Sequence, residues 1–313
     1  MAQTPIIAVM GPTASGKSAL GIALARRFNG EVLNCDSVQV YREIEIATAK
    51  ATPAEQQGVP HHLIDFVPPE INYTAGTWAA AALAKIAEIE ARGRLTLLVG
   101  GTGFYLRALR QPFFASPPTD ERLRARLTAL RQTRGPEHLY RFLRRLDPAA
   151  AAKLYPRDWV RVQRALEVRI QTGRNISAQQ PTCPAPPALA ARIRVFALAP
   201  PRAELYLRIN ARTEAHFSAG LVEEVRRLLA KGVPAKSNAL GAHGYRRVVE
   251  YLRGARDLPS AIEQTKLDVR HYAKRQLTWF RREPEVVWID GFGDDPEVQA
   301  RVAAHVAALS TAG

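Results

Sequence analysis

Between Ile6 and Phe28 the chain runs IIAVM, GPTASGKS and ALGIALARRF. No other stretch restricts the fold as much. IIAVM is short, wholly apolar and rich in β-branched residues, the pattern of a strand buried on both faces. Gly11–Ser18 has the spacing G-x-x-x-x-G-K-[ST], with glycines where backbone approaches an anion and a Lys-Ser pair at the mouth of a helix. Leu20, Ile22, Leu24 and Phe28 then follow helical spacing. Strand, glycine loop and helix in this order imply a parallel α/β sheet of the P-loop NTPase-like kind, flanked by helices. In such sheets ligands sit beyond the carboxyl ends of the strands. The usual occupant of the loop is a nucleoside triphosphate such as ATP, with Lys17 on its phosphates and Ser18 on Mg²⁺.

Two further segments read as strands ending in polar residues. EVLNCDS (Glu31–Ser37) delivers Asp36 and Ser37, and LTLLVGG (Leu95–Gly101) delivers Gly100 to Thr102. An enzyme that hydrolyses a nucleotide needs a carboxylate at a strand end to hold Mg²⁺ and place water. The second strand ends in Gly-Gly-Thr, and the acid sits on the first, at Asp36. That layout suits a base facing an acceptor, with the phosphates as leaving group. Asp36 also fits a helix N-cap or a residue hydrogen-bonded to metal-bound water, and Thr102 fits an ordinary strand-to-helix cap. Arg208 and Arg212 stand one turn apart in LYLRINARTEAHF, spaced either to clamp pyrophosphate or to pair with Glu204 and Glu214. His61 and His62 have no third metal ligand at useful spacing, so they read as hydrogen-bonding or substrate-positioning residues. Tyr272, Trp279 and Phe280, on a basic helix near the end of the chain, read as core.

After ASPPTD the texture changes. Residues 119–174 read almost entirely helical and carry thirteen Arg and one Lys against six acids. The whole 313-residue chain is at +15, so more than half of its net charge lies in this segment. We expect a P-loop-like catalytic core over residues 1–117 and 188–313 and an Arg-rich, all-helical insertion over 118–187. PTCPAPP (Pro181–Pro187) would be the stiff return linker. In DWVRVQRALEVR, Arg157, Arg161 and Arg164 would share one helix side, a better contact for a phosphate backbone than scattered charge. Cys35 and Cys183 are far apart and form no C-x-x-C pair, which excludes a thiolate zinc site from neighbouring pairs and fits a reducing compartment. No apolar run approaches the ~18 residues of a membrane span, and MAQTPIIAVM lacks the basic region of a signal peptide. These features predict a cytoplasmic monomer with no membrane partner.

The pieces GPTASGKS, CDSVQVYREIEIATAK, PHHLID, LLVGGTGFYLRAL, RVQRALEV, the RIxxR segment, AHGYR and YAKRQLTWFR run in order from residue 11 to about 282. In that combination the chain resembles the tRNA dimethylallyltransferases, also called tRNA isopentenyltransferases, of bacterial type. The resemblance implies transfer of a dimethylallyl group from dimethylallyl diphosphate to N6 of the adenosine 3′-adjacent to the anticodon, in tRNAs reading codons that begin with U. The diphosphate would then lie on Gly11, Pro12, Thr13, Ala14, Ser15, Gly16, Lys17 and Ser18, with Arg212, and Mg²⁺ would sit at Ser18. Asp36, Thr102 and Arg208 would be catalytic, with Arg208 preferred over Arg212 as the clamp. The tRNA anticodon stem-loop would be gripped by Ser37, Val38 and Gln39, by Arg124, by Val160, Arg161, Val162, Gln163 and Arg164, and by Gly244, Tyr245 and Arg246. The sequence departs from the family's pattern at Ala47, Arg157, His243 and Val269, none of them in the phosphate loop. A small-molecule kinase, an isopentenyltransferase acting on free AMP and a nucleotide-gated RNA-binding protein stay open as alternatives. Neither of the two alternative enzymes explains the basic insertion.

Overall fold

Alternate residues of β1 (Ile6–Met10) enter different cores. Ile6, Ala8 and Met10 belong to one apolar cluster, and Ile7 and Val9 to another. A strand that is apolar at every position must be covered on both faces, and this one is. The computed structural model describes residues 4–111, 113–114, 116–180 and 186–311, excepting the side chains of 310 and 311. The linker expected at Pro181–Pro187 and Cys183 lie wholly or largely outside these residues.

The elements follow in order: α1 (Lys17–Arg27), β2 (Gly30–Asn34), α2 (Pro53–Gln56), β3 (His61–His62), α3 (Ala75–Ala91), β4 (Leu95–Gly100) and α4 (Gly103–Arg110). Next come α5 (Glu121–Arg134), α6 (Pro136–Leu146), α7 (Pro148–Ala151), α8 (Trp159–Thr172) and α9 (Ile176–Gln179). The chain ends with β5 (Ile193–Leu198), α10 (Arg202–Ser218), α11 (Leu221–Ala230), α12 (Tyr245–Leu252), α13 (Leu258–Phe280), β6 (Val286–Ile289) and α14 (Pro296–Thr311). The six strands form one sheet in the order β3-β2-β4-β1-β5-β6, and every pairing is parallel. One face is covered by Trp78 and Ile86 of α3, Leu106 of α4, Val225 of α11, Val248 of α12 and Phe280 of α13. The other is covered by Leu20 and Leu24 of α1 and by Val302 and Val306 of α14.

The sheet and its helices make one compact unit from residues 1–110 and 188–313; residues 111–187 make a second, which begins earlier than the expected residue 118. The second unit is helical, α5 to α9, around Leu127, Leu139, Leu143, Val162 and Leu166. Asp120 starts it by accepting from the Arg122 and Leu123 amides at 2.9 and 3.0 Å, an ordinary N-cap. Arg157 precedes the first residue of α8, so it does not share a helix face with Arg161 and Arg164. The strand expected over Glu31–Ser37 stops at Asn34. The Asn34 side chain accepts from the Asp36 amide and donates to Leu63 O, which turns the chain off the sheet there. Among the described residues no helix is long and apolar enough to cross a membrane.

Candidate active site

The carboxyl ends of β2, β4 and β1, neighbours in the sheet, open into one cavity of about 1040 Å³. Its first wall is the phosphate loop. Gly16 adopts φ +83, and a Cβ there would stand 2.6 Å from the Asp294 amide nitrogen, so only glycine fits. The Ser15 hydroxyl donates to Pro12 O at 2.8 Å, and the Gly293 amide donates to Ser15 O at 2.8 Å, which fixes the loop from inside and outside. Thr52, Thr74 and Asp120 cap α2, α3 and α5 with their side chains, but α1 has no side-chain cap and no acid in its first turn. Its leading amides and its positive dipole end are left for an anion. Lys17 reaches back to donate to Pro12 O at 2.6 Å. Burial lowers its pKa to about 8, with the Asp36 carboxylate opposing and Arg212 adding to the fall.

The second wall carries the acid. Asp36 Oδ1 accepts from the Val38 and Gln39 amides at 2.8 and 3.4 Å, so the residue caps a turn. No hydrogen bond reaches Oδ2 among the described residues, and Asp36 lines the cavity. Thr102 ties the ends of β2 and β4 together. Its amide donates to Cys35 O at 3.1 Å, and its hydroxyl accepts from the Ser37 amide at 3.0 Å and donates to the Ser37 hydroxyl at 3.2 Å. Tyr272 lines the cavity, and burial pushes its pKa up. Tyr272 was expected in the core and instead faces the cavity.

The two arginines of α10 differ sharply. Arg208 holds the Asp294 carboxylate through both oxygens at 2.8 Å and lies 3.6 Å above the Phe292 ring. Arg212 makes no ion pair among the described residues. Burial lowers its pKa, while the charges of Glu55 and Asp36 hold it up. Neither arginine meets Glu204 or Glu214; Glu214 takes Lys266 at 2.6 Å. Arg208 is already neutralised, so Arg212 is the better placed of the pair to receive a phosphate. His216 and His243 also line the cavity, and burial pushes both to about 4, helped by Arg212 and by Arg275 respectively. Both are neutral at pH 7.

Several residues read as RNA contacts are committed internally. Val162 is fully buried, and Gln163 is buried with its amide donating to Arg124 O at 3.1 Å. Arg124 holds Glu167 through two bonds of 2.9 Å, and Arg164 holds the same carboxylate at 3.2 Å and Pro117 O at 2.7 Å. Tyr245 is fully buried, with its hydroxyl donating to Glu224 at 2.5 Å. Val162, Gln163 and Tyr245 are buried, and the charges of Arg124 and Arg164, though half-exposed, are already paired with Glu167. Val160 and Arg161 are exposed, and so is Arg246, whose ion pair among the described residues is with Glu250 at 3.3 Å. Ser37, Val38, Gln39 and Gly244 line the cavity. Three of the four departures from the family's pattern, Ala47, His243 and Val269, line it too. His62 meets Glu31 at 2.6 Å and His61 meets Val59 O at 2.8 Å, and among the described residues no three His, Cys, Asp or Glu cluster as metal ligands.

Sequence reasoning missed a cavity-lining face of α13. Thr265, Val269, Tyr272 and Gln276 recur at helical spacing and all line the cavity. Their spacing was the available signal, hidden because only one of the four is apolar and aliphatic. It also missed the loop carrying Gly293 and Asp294, which has no motif.

The sequence model described as IPP transferase matches residues 39–283. A tRNA dimethylallyltransferase of Solibacter usitatus is 47% identical over 312 residues, covering 97% of this chain and 98% of that protein. One from Geobacter metallireducens is 45% identical over 291 residues, covering 92% and 93%. The crystal structure of the full-length tRNA isopentenylpyrophosphate transferase from Bacillus halodurans superposes with a TM-score of 0.71 at 37% identity, covering 99% of each chain. A eukaryotic dimethylallyltransferase acting on tRNA superposes with 0.75 at 26% identity, covering 98% of this chain and 78% of that one. The sheet, the phosphate loop and these matches over nearly the full length agree: the chain is a transferase belonging to the IPP transferase family, the tRNA dimethylallyltransferases.

Proposed function

We propose that this protein transfers the dimethylallyl group of dimethylallyl diphosphate to N6 of the adenosine 3′-adjacent to the anticodon, in tRNAs reading codons that begin with U, in the cytoplasm. One observation carries this reading. Two half-buried cations without a carboxylate partner, Lys17 and Arg212, line the same cavity as the unengaged oxygen of Asp36. Cations held unpaired in a cavity suit a polyanion, and a carboxylate across from them suits an acceptor that must lose a proton.

The chemistry follows from the balance of one bond for another. The C1–O bond of the donor breaks and its electron pair leaves with pyrophosphate. The N6 lone pair forms the new N–C1 bond, and the N6 proton passes to the Asp36 carboxylate. An exocyclic amine is a weak nucleophile because its lone pair is delocalised into the purine, so removal of the proton as the bond forms lowers the barrier. Lys17, Arg212 and the amides of Gly11–Ser18 face the charge that develops on the leaving group. Thr102 and Ser37 orient the amine against Asp36.

The Ser18 hydroxyl, exposed at the first turn of α1 and without a hydrogen bond among the described residues, fits Mg²⁺. That ion takes few protein ligands and otherwise holds phosphate oxygens and water. When bound it would neutralise charge on the diphosphate. A stacked adenine cannot reach a cavity of this depth, so it enters flipped out of the loop. The helical unit, with Arg161 and Val160 exposed on α8, would hold the anticodon arm.

The test is to incubate the protein with Mg²⁺, radiolabelled dimethylallyl diphosphate and unmodified tRNA, with ATP as a parallel candidate donor. Label on the adenosine with no ATP consumed supports the reading. ATP turnover without label sinks it.

A further inference from the structure

Two walls of the cavity must be held at a fixed spacing, and their strands alone do not do this. The phosphate loop and the Gly101–Thr102 turn both leave the sheet; the first lines the cavity, and the second is bonded to Ser37, which lines it beside Asp36. One buried side chain spans them. Gln276 of α13 is 4% exposed; its Oε1 accepts from the Thr13 amide at 2.8 Å and its Nε2 donates to Gly101 O at 3.0 Å. A Cβ on Gly101 would stand 2.1 Å from that Nε2, so the turn is glycine where the amide must come in. Thr102 follows directly and is locked to Ser37, next to Asp36. One turn earlier on the same helix, Tyr272 lines the cavity. A single helix is thus keyed to the donor wall through Thr13 and to the acceptor wall through Gly101.

We propose that Gln276 is a positioning residue that sets the distance between the diphosphate loop and the Asp36–Thr102 wall, and so the approach of the amine to the donor carbon. The inference rests on the prenyl-transfer reading above. It follows from the geometry of its two bonds. A primary amide accepts at one atom and donates at the other across a fixed planar fork, without carrying charge. The groups that react need alignment within fractions of an ångström, and a misplacement of ~1 Å costs on the order of 10²-fold in rate.

The isosteric change Gln276→Glu separates positioning from packing. Ionised, it still accepts from Thr13 but sets an oxygen against Gly101 O. Protonated, it has a donor again. Single-turnover transfer should fall on the order of 30-fold at pH 8, with affinities for pyrophosphate and for tRNA, each measured alone, within about threefold of the parent protein. The ratio of variant to parent rate should climb as pH falls toward 5.5. Gln276→Met, which fills the space without either bond, should lose as much rate and regain none at low pH. Amide exchange at Thr13 should speed up in Gln276→Met, which loses that acceptor, and stay near the parent's in Gln276→Glu, whose carboxylate keeps it, whether or not they turn over.

A Gln276→Glu rate equal to the parent's across pH overturns the proposal. So does a loss carried wholly by substrate affinity, or unchanged exchange at Thr13 in Gln276→Met. If Gln276→Glu does not fold, the Met variant decides through the same affinities and exchange. A parent protein that moves no label removes the transfer reading by itself; unchanged exchange with an active parent removes only the strut.

Discussion

Lys17 and Arg212 in the sheet unit, and Arg124 and Arg164 in the helical unit, are all half-buried cations, yet they are neutralised differently. Arg124 and Arg164 share the fully buried carboxylate of Glu167. Among the described residues Lys17 has only a backbone carbonyl, and Arg212 has no ion pair. Burying charge without a partner is costly, and a protein tolerates it where a ligand supplies the counter-charge. The comparison teaches that an arginine's contribution to net charge says little about its work. The basic segment holds much of the chain's +15, yet part of it is structural, while cations suited to an anion sit in the less basic unit.

The largest effect falls at Asp36, whose Oδ2 takes no hydrogen bond among the described residues. Asp36→Ala removes the proton acceptor and should lower single-turnover transfer by about 10³-fold, the middle of the range for a general base. Donor and tRNA affinities, measured by calorimetry and filter binding, should stay near the parent's. Equal transfer by variant and parent would place the base elsewhere.

The two arginines of α10 come next. Arg212→Ala should cost on the order of 10²-fold in kcat/KM for the donor, as for removal of one donor aimed at developing charge. Arg208→Ala breaks a bridge to Asp294 whose partners are 44% and 46% exposed. Such a bridge is worth ~1 kcal/mol or less, so its effect should stay below about fivefold. The reverse order of the two would show that Arg208 leaves Asp294 to meet the donor.

In the helical unit the matching test is Glu167→Ala. It leaves Arg124 and Arg164 half-buried without their acceptor. Because both arginines keep some solvent, the cost should be about 2 kcal/mol, below the range for a fully buried pair. A lower urea midpoint of the full chain would read it. An unchanged midpoint would mean the arginines find water, and that the two regions are less different than the contacts imply.

How much of this was legible beforehand follows the same division. β1, the phosphate loop and α1 were readable because strand period, glycine spacing and helix period follow one another without a gap. Asp36 and Thr102 were readable as strand-end residues; the structure sets Asp36 on one cavity with Lys17 and ties Thr102 to its neighbour Ser37. Gln276 was not, since its role depends on two backbone groups 263 and 175 residues away. Arg124, Gln163 and Arg164 read as a surface because Glu167, the residue that turns them inward, looks in sequence like any helix acid. The roles of Val162 and Tyr245 were misread for a related reason: a short apolar or aromatic residue inside a basic stretch is the part that packs.

Lys17 adds a pH signature to the anion side. Its folded pKa of about 8 is below the ordinary 10.5, so the folded protein loses this proton early as pH rises. Between these values the unfolded chain holds a proton the folded one lacks, and this group favours folding increasingly toward high pH. Donor binding needs the charged form and runs the other way. The donor KM should rise about tenfold between pH 7 and 9, with kcat changed less. A flat profile would mean that the bound diphosphate holds the proton on Lys17 throughout.

The smallest effect splits two neighbours on α8. Arg161 is 69% exposed and meets only Asp158, at 3.3 Å, whereas Arg164 is turned to Glu167. If Arg161 touches a phosphate, Arg161→Ala should weaken tRNA binding a few-fold, equally for all tRNAs, and lower the slope of log K against log salt by about one. Arg164→Ala should leave that slope alone and lower the urea midpoint instead, because its charge is already spent on a carboxylate. If both variants flatten the salt dependence, Arg164 exchanges Glu167 for RNA on binding, and the internal network is a holding position for a contact made later.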